Sequence, residues 1–432
     1  MNTIKLTLRN LLNFFVISLP FIALGINVGA DTIPLSFIAL TLMVAFMFFK
    51  SIPFTLSFDK PSLSLYAFFI FACFSVFYSL NQLNLQGSVM YDAPAAKGIK
   101  QLMMLLIVIF HFVFLNKIFQ KQKPEDSRKL IRLFIITCFF VSLYSFYQFV
   151  AQQFDLPFQD MLRNTQSYSV MKINETSGWM GGGLKRTKAF MPESSFWGAF
   201  LLIPISLILP MAASRSNLKM AALLGTFFLA EFLSFSRTGW FCLLAILVYF
   251  LFCKAIYERK YRGILIMSVL SFFLFLMAIN IIYPDIVNIA LSFGDYSSDV
   301  RFSFQRAAFF AFLDNWLTGV GWGNTGFVID QITTYNFFLQ ILLETGVIGL
   351  LIFGSFLFKL WSTLSMIQKH MLQNPGNGDT DLILGLKMAM LSIILVWFTS
   401  TAYNCSYIWF VFSFAFATAV TYNKRIKSNG LS

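Results

Sequence analysis

Charge is scarce in this sequence. Of 432 residues only 12% are Asp, Glu, Lys or Arg, 58% are apolar, and the mean hydropathy is +0.72. Soluble domains carry about one quarter charged residues, so a cytosolic or secreted globule is excluded and the bilayer is the main solvent. Histidine is scarcer still. His111 lies in an apolar run and His370 in an inner loop, which leaves no outer histidine to act as base or metal ligand and disfavours metal hydrolysis and Ser-His-Asp chemistry there. Neither a metal nor a cofactor is expected. Four of the five cysteines, Cys73, Cys138, Cys242 and Cys253, sit inside apolar runs and Cys405 is near an outer turn, so no disulfide framework or paired ligand spacing exists.

What the chain does have is apolar windows long enough to span a bilayer. They fall at 11–30, 32–49, 62–80, 99–119, 131–151, 192–213, 219–235, 238–254, 263–283, 337–358, 383–403 and 407–422. Lys5 and Arg9 before the first run mimic a signal peptide, but the run lacks an obvious small-residue cleavage site, so it reads as the first span. The expected fold is an all-α polytopic integral membrane protein of about 12 helices, one membrane-embedded domain over residues 1–432. Of the 32 Lys and Arg, ten then fall outside (Lys97, Lys100, Arg163, Lys172, Lys185, Arg186, Lys188, Arg237, Arg301 and Arg306), leaving 22 inside. That asymmetry places both termini in the cytoplasm. The net charge of +13 accordingly records topology and does not imply nucleic acid.

Two outer connections, about 152–191 and 284–336, are long, and long connections in compact proteins are often functional. In the second, Phe302, Phe309, Leu313 and Trp316 recur at near-helical spacing, which predicts a short amphipathic helix on the membrane surface.

Four constellations stand on this outer side. In RTKAFMPESSFWGA, Arg186 to Ala199, Pro192 suits a first helical turn and puts Glu193 at the mouth of the sixth span, with Arg186 and Lys188 on a loop loosened by Gly181, Gly182 and Gly183; alternatively Glu193 complements the helix dipole while the cations anchor lipid phosphates. In LSFSRTGW, Leu233 to Trp240, Arg237 occupies a tight turn suited to gripping a phosphate, or snorkels. Glu231, a turn and a half earlier, must face protein or water. Arg301, Arg306, Trp316 and GVGWGNTG (Gly319–Gly326) form the third. Gly321, Gly323 and Gly326 fit the dinucleotide pattern literally, but no hydrophobic strand precedes them, so the glycines shape a turn. In TYNFFLQILLETGVIG, Asn336, Gln340 and Glu344 are four apart and line one helix face, aimed at a cavity or acting as interhelical glue.

Together and in this order, these stretches resemble the bacterial O-antigen ligase and polymerase family of Wzy-type membrane glycosyltransferases, from about Arg186 to Gly349. The resemblance implies metal-independent transfer of a sugar chain from an undecaprenyl-pyrophosphate-linked oligosaccharide to a hydroxyl acceptor, on the periplasmic face of the bacterial inner membrane. Growing charge on the leaving diphosphate calls for fixed guanidinium groups, so Arg237, Arg301 and Arg306 are candidates, with Arg186 and Lys188 orienting substrate and Asn336 and Gln340 binding it. Ligase members carry a histidine before the Asn of the fourth motif, where this chain has Tyr335. A tyrosine with its ordinary pKa of about 10 binds sugar or relays a proton, and Glu193 or Glu344 takes the basic role. The missing histidine favours a repeat-unit polymerase over a ligase. A flippase-like transporter is the rival of another class. Membrane lipids and a chain-length regulator protein are the further partners expected.

Overall fold

The computed structural model describes residues 2–28, 31–52, 57–82, 93–158, 185–214, 217–257, 263, 296–329, 333–373 and 380–428. Helices dominate, because a backbone in hydrocarbon must satisfy its own donors and acceptors. In chain order they are α1 (Asn2–Ser18), α2 (Leu35–Phe49), α3 (Lys60–Gln82), α4 (Pro94–Gln120), α5 (Pro124–Phe154), α6 (Ser194–Ser214), α7 (Leu218–Leu233), α8 (Arg237–Tyr257), α9 (Tyr296–Asp314), α10 (Thr325–Val328), α11 (Phe337–Gln373), α12 (Thr380–Val396) and α13 (Ser406–Ser428). A single hairpin of β1 (Gly25–Val28) and β2 (Asp31–Pro34) joins α1 to α2, pairing Gly25 with Pro34.

Six of these helices, α3, α4, α5, α6, α8 and α11, are long and apolar enough to cross a membrane. Their outer surfaces match that solvent: Ile70, Phe77, Phe140, Leu351 and Phe358 are large, apolar and exposed, an arrangement untenable in water. The sequence windows locate most helices within a few residues. The first differs. The expected span 11–30 is instead a helix that stops at Ser18, since Pro20 lacks an amide donor and the chain turns into the hairpin. The tenth window, 337–358, extends to Gln373 with non-helical backbone at Gly346. Residues 159–184 and 264–295, which take in Arg163, Lys172, Gly181 to Gly183 and all but the first residue of the ninth window, lie outside the described residues.

The bundle is built around α6, buried on all sides from Trp197 to Pro210. It packs chiefly on α12, while α4 packs on α13 and α3 on α11. Gly385 of α12 allows the closest approach, because a Cβ there would lie 3.0 Å from Leu207 Cα and 3.1 Å from the Ser206 and Leu207 carbonyl oxygens. Small residues at such crossings let helix backbones meet where no hydrophobic force drives association. One end of the bundle is clasped by polar pairs: Ser214 Oγ donates to Asp381 Oδ1 (2.9 Å), Lys254 Nζ lies 3.9 Å from the same oxygen, and Asn116 Nδ2 donates to Asp59 Oδ2 (2.9 Å). The helices alternate in direction, so the opposite end gathers the hairpin, the 185–193 segment, the α7–α8 turn, α9, α10 and the start of α11.

Gly385→Val should force α6 and α12 apart and lower stability by about 1–3 kcal/mol, read as a fall in thermal midpoint of the detergent-solubilised chain; an unchanged midpoint would show that the crossing is not tightly packed.

Candidate functional site

The site end is organised by a break in α11. At Gly346 the backbone takes φ 64° and ψ −169°, a conformation open to glycine, and a Cβ would come within 2.2 Å of the Leu317 carbonyl oxygen. Breaking a helix releases backbone groups that need partners. The Gly-rich loop supplies them: Val320 N donates to Leu343 O, Gly321 N to Glu344 O, and Val347 N to Trp316 O, each at 2.9 Å. Gly319, at φ +71°, admits this approach, since a Cβ would sit 2.4 Å from the Glu344 carbonyl carbon.

The carboxyl of Glu344 serves the same junction. It is 1% exposed; its Oε1 accepts from Thr325 Oγ1 (2.6 Å) and Gln340 Nε2 (3.2 Å), and Oε2 has no partner. The expected face of Asn336, Gln340 and Glu344 is therefore partly realised. Gln340 and Glu344 are joined, whereas Asn336 Oδ1 caps the helix by accepting from Leu339 N (3.0 Å).

Tyr335 precedes the cap at φ +52°, uncommon for a residue with a side chain. Its ring is stacked on Phe304, centroids 5.9 Å apart, and the Arg301 guanidinium carbon is 5.0 Å from its centroid. Two candidates from different motifs thus meet in a cation–π contact. Arg306, exposed, lies instead over Phe310 of its own helix at 5.7 Å. Helix α9 covers the expected stretch but is not amphipathic: Ala308 and Phe312 pack against Val320 and Leu343, while Phe302, Phe309 and Leu313, with Trp316 just beyond the helix, are apolar and exposed.

The other motifs form a second cluster. Thr187 donates from N (3.2 Å) and Oγ1 (3.0 Å) to Leu233 O, fastening Arg186 to the turn that carries Arg237, the half-buried first residue of α8. Gln148 Oε1 accepts from Lys188 N and Ala189 N, both at 2.9 Å. Arg186 is exposed, but Lys188 is 3% exposed, so its side chain is packed inside rather than displayed on a rim. Glu193 is half-buried and accepts from Ser195 Oγ (3.0 Å); it stands in the turn just before α6, because Pro192 falls two residues ahead of the helix instead of in its first turn. Beneath the turn lies Glu231, 0% exposed with both carboxyl oxygens unpartnered. Gly198 and Gly239 make room for it, as Cβ atoms would fall 3.1 Å and 2.0 Å from its Oε1.

Several contacts here join the third motif to residues that no motif contains. Trp322 N donates to Ser75 Oγ (3.2 Å) and its indole to Gln101 O (3.3 Å); Asn324 Nδ2 donates to Ser79 Oγ (3.1 Å); Tyr403 Oη donates to Gln101 Oε1 (3.0 Å). These bonds seat the loop on α3 and α4. Lys97 of α4 lies with Nζ 5.3 Å from the Phe327 ring centroid, close enough to Glu344 for their charges to interact. Its signal in the sequence was a cation at a helix start. Among the described residues no group of three His, Cys, Asp or Glu side chains is placed to hold a metal.

Fold and site together define a polytopic helical membrane protein with a cationic, loop-covered end. Residues 220–354, from α7 into α11, match the family model described as Wzy_C, O-antigen ligase. The match takes in Arg237, Arg301, Arg306, Tyr335, Asn336, Gln340 and Glu344 but not Arg186, Lys188 or Glu193, and it supports the O-antigen ligase and polymerase superfamily and a function of that type. No curated protein matches the chain.

Thr325→Val removes a donor from a buried carboxyl and should cost about 1–3 kcal/mol, seen as a lower thermal midpoint; Gln340→Leu, acting on a longer bond, should cost less. The reverse order would mean that Gln340 holds the carboxyl.

Proposed function

We propose that this chain is a repeat-unit polymerase of O-antigen or exopolysaccharide, moving a growing glycan from undecaprenyl pyrophosphate onto the next lipid-linked repeat at the periplasmic face of the bacterial inner membrane. The observation that carries this reading is that two cationic clusters, Arg186 held to the turn of Arg237 and Arg301 laid over Tyr335, lie within and beside the stretch similar to the O-antigen ligase family. Lys117, Lys121, Lys123, Arg128, Lys254, Lys369, Lys424 and Arg425 lie towards the other end, and a basic end faces the cytoplasm.

The chemistry follows from the charges. An acceptor hydroxyl attacks the anomeric carbon, the bond from that carbon to the diphosphate oxygen breaks, and the electron pair leaves with the diphosphate. Arg237, Arg301 and Arg306 stabilise that charge through paired donors. The hydroxyl proton passes to a carboxylate, for which Glu344 is our choice because it stands at the junction of the Gly-rich loop with Oε2 uncommitted, whereas Glu193 lies outside the stretch similar to the O-antigen ligase family. The Tyr335 and Phe304 rings, stacked on each other with Arg301 over Tyr335, offer flat aromatic surface of the kind that sugars stack upon. The absence of a histidine at Tyr335 favours polymerase; the description of the matching family model favours the second reading, ligation of finished polysaccharide to an acceptor such as lipid A core.

Arg301→Lys and Arg237→Lys should each lower polymer yield by about tenfold or more, because charge remains while the planar fork is lost; full-length polymer from both would refute the diphosphate role. Glu344→Gln should abolish elongation on a polysaccharide gel. Deletion of the gene separates the classes: loss of long chains with single repeats still attached to their acceptor marks a polymerase, accumulated lipid-linked polymer a ligase, and repeats trapped on the inner leaflet a flippase.

A further inference from the structure

Glu231 takes no part in the transfer chemistry, although it lies inside the stretch similar to the O-antigen ligase family. Its carboxyl is 0% exposed and neither oxygen has a hydrogen-bond partner. Buried acceptors are nearly always paired, and a buried charge without a partner is costly. The backbone closes on this carboxyl from two helices: a Cβ on Gly198 of α6 would fall 3.1 Å from Oε1, and one on Gly239 of α8 would fall 2.0 Å from it. The carboxyl is thus laid against the third residue of α8, which puts Oε1 at most about 9 Å from the Arg237 Cα. Its backbone carbonyl fixes the same turn, accepting from Ser234 Oγ (2.7 Å) and the Trp240 indole (3.3 Å).

The surroundings decide which ligand suits it. Around the carboxyl, α6 carries no titratable residue and the outer half of α5 only Tyr144 and Tyr147, while the first turns of α8 carry Arg237 and Cys242. The segment fastened by Thr187 brings Lys185, Arg186, Lys188 and Glu193. The nearby hydroxyls are engaged, Ser234 Oγ between Glu231 O and Ser236 N, and Ser236 Oγ with Gly239 N. Among the described residues no group of three His, Cys, Asp or Glu side chains is placed to hold a metal, so a metal ion would find a single carboxylate here. A proton needs one oxygen and no further ligand.

We propose that Glu231 is a proton-binding residue coupled to the Arg237 turn: it takes a proton from the aqueous phase when a diphosphate docks at that turn and returns it when the diphosphate leaves. The diphosphate is the one assigned to Arg237 above, so this site rests on that reading. Between unit charges about 12 Å apart, at an effective dielectric constant of about 20, the interaction changes a binding constant by about tenfold. Coupling of this kind is reciprocal. A proton on Glu231 removes a charge that repels the diphosphate, so the diphosphate is held more tightly at low pH and loses that advantage as pH rises through the titration of Glu231.

The test uses the full chain in phosphatidylcholine nanodiscs, titrated with inorganic pyrophosphate over a series of pH values, as wild type and as Glu231→Gln. Titration of the probe itself is common to both. The ratio of the two affinities should be one at the acid end, and wild type should fall about tenfold behind the variant as pH rises. Equal affinities throughout, or a variant weaker than wild type at every pH, overturn the coupling. In an Arg237→Gln background the ratio should stay at one, and a tenfold ratio there would overturn the link to this turn. Infrared spectra read the proton with Glu231 intact. Glu231 and Glu344 are the buried acids among the described residues, so in a Glu344→Gln chain pyrophosphate should convert one carboxylate into a carboxylic acid within the pH series; no conversion at any pH overturns the proposal. Pyrophosphate bound by neither wild type nor Glu231→Gln overturns it together with the diphosphate role of Arg237. Diverging affinities in a chain that transfers no glycan would sink the polymerase reading and leave Glu231 coupled, whereas equal affinities in an active chain would do the reverse.

Discussion

The site end depends on one repair of the backbone. A helix that breaks at Gly346 inside a membrane protein leaves carbonyls and an amide without partners, and in a low-dielectric setting each such group is costly. Leu343 and Glu344 give their carbonyl oxygens to Val320 and Gly321, and Val347 gives its amide to Trp316. The loop is thus held by main-chain bonds, which are indifferent to side-chain identity except where a Cβ would intrude. Gly319, Gly321, Gly323 and Gly346 are positions where it would. Glu344, Thr325 and Gln340 then lock the same junction with side chains.

From that junction the cationic elements are placed by packing. Helix α9 lies on it through Ala308 and Phe312, which brings Arg301 over Tyr335. Helices α3 and α4 receive it through Ser75, Ser79 and Gln101, which brings Lys97 to its edge. The Arg186 and Arg237 cluster is fastened separately, by Thr187 on Leu233. Two cationic groups on different supports suit a reaction that must hold a diphosphate while a sugar departs, since fixed charge needs no reorganisation as negative charge develops.

Glu231 shows how much polarity this end tolerates. Its carboxyl is enclosed by α6 and α8 at two glycines, directly beneath the turn that bears Arg237. Ser234 and the Trp240 indole both donate to its carbonyl oxygen, so the same residue anchors the turn by its backbone.

The helical, membrane-borne character was legible in the sequence because hydrocarbon imposes a length and a composition that no soluble fold shares. Positions of most helices and the polar spacing of Gln340 and Glu344 were legible for the same reason: they are periodicities. The early end of α1 and the break of α11 at Gly346 were not, since each turns on one proline or one glycine against its neighbours. Lys188 was misplaced because a charge in a sequence carries no record of burial; Gln148 draws its segment inward. Lys97 was passed over because it lies far along the chain from every motif it serves. Sequence by itself determined the solvent and the helical class, both of which are local sums over residues. Only the tertiary structure decided which arginine meets which ring and which lysine stands by Glu344, because those contacts join residues whose separation along the chain is unrelated to their distance in space.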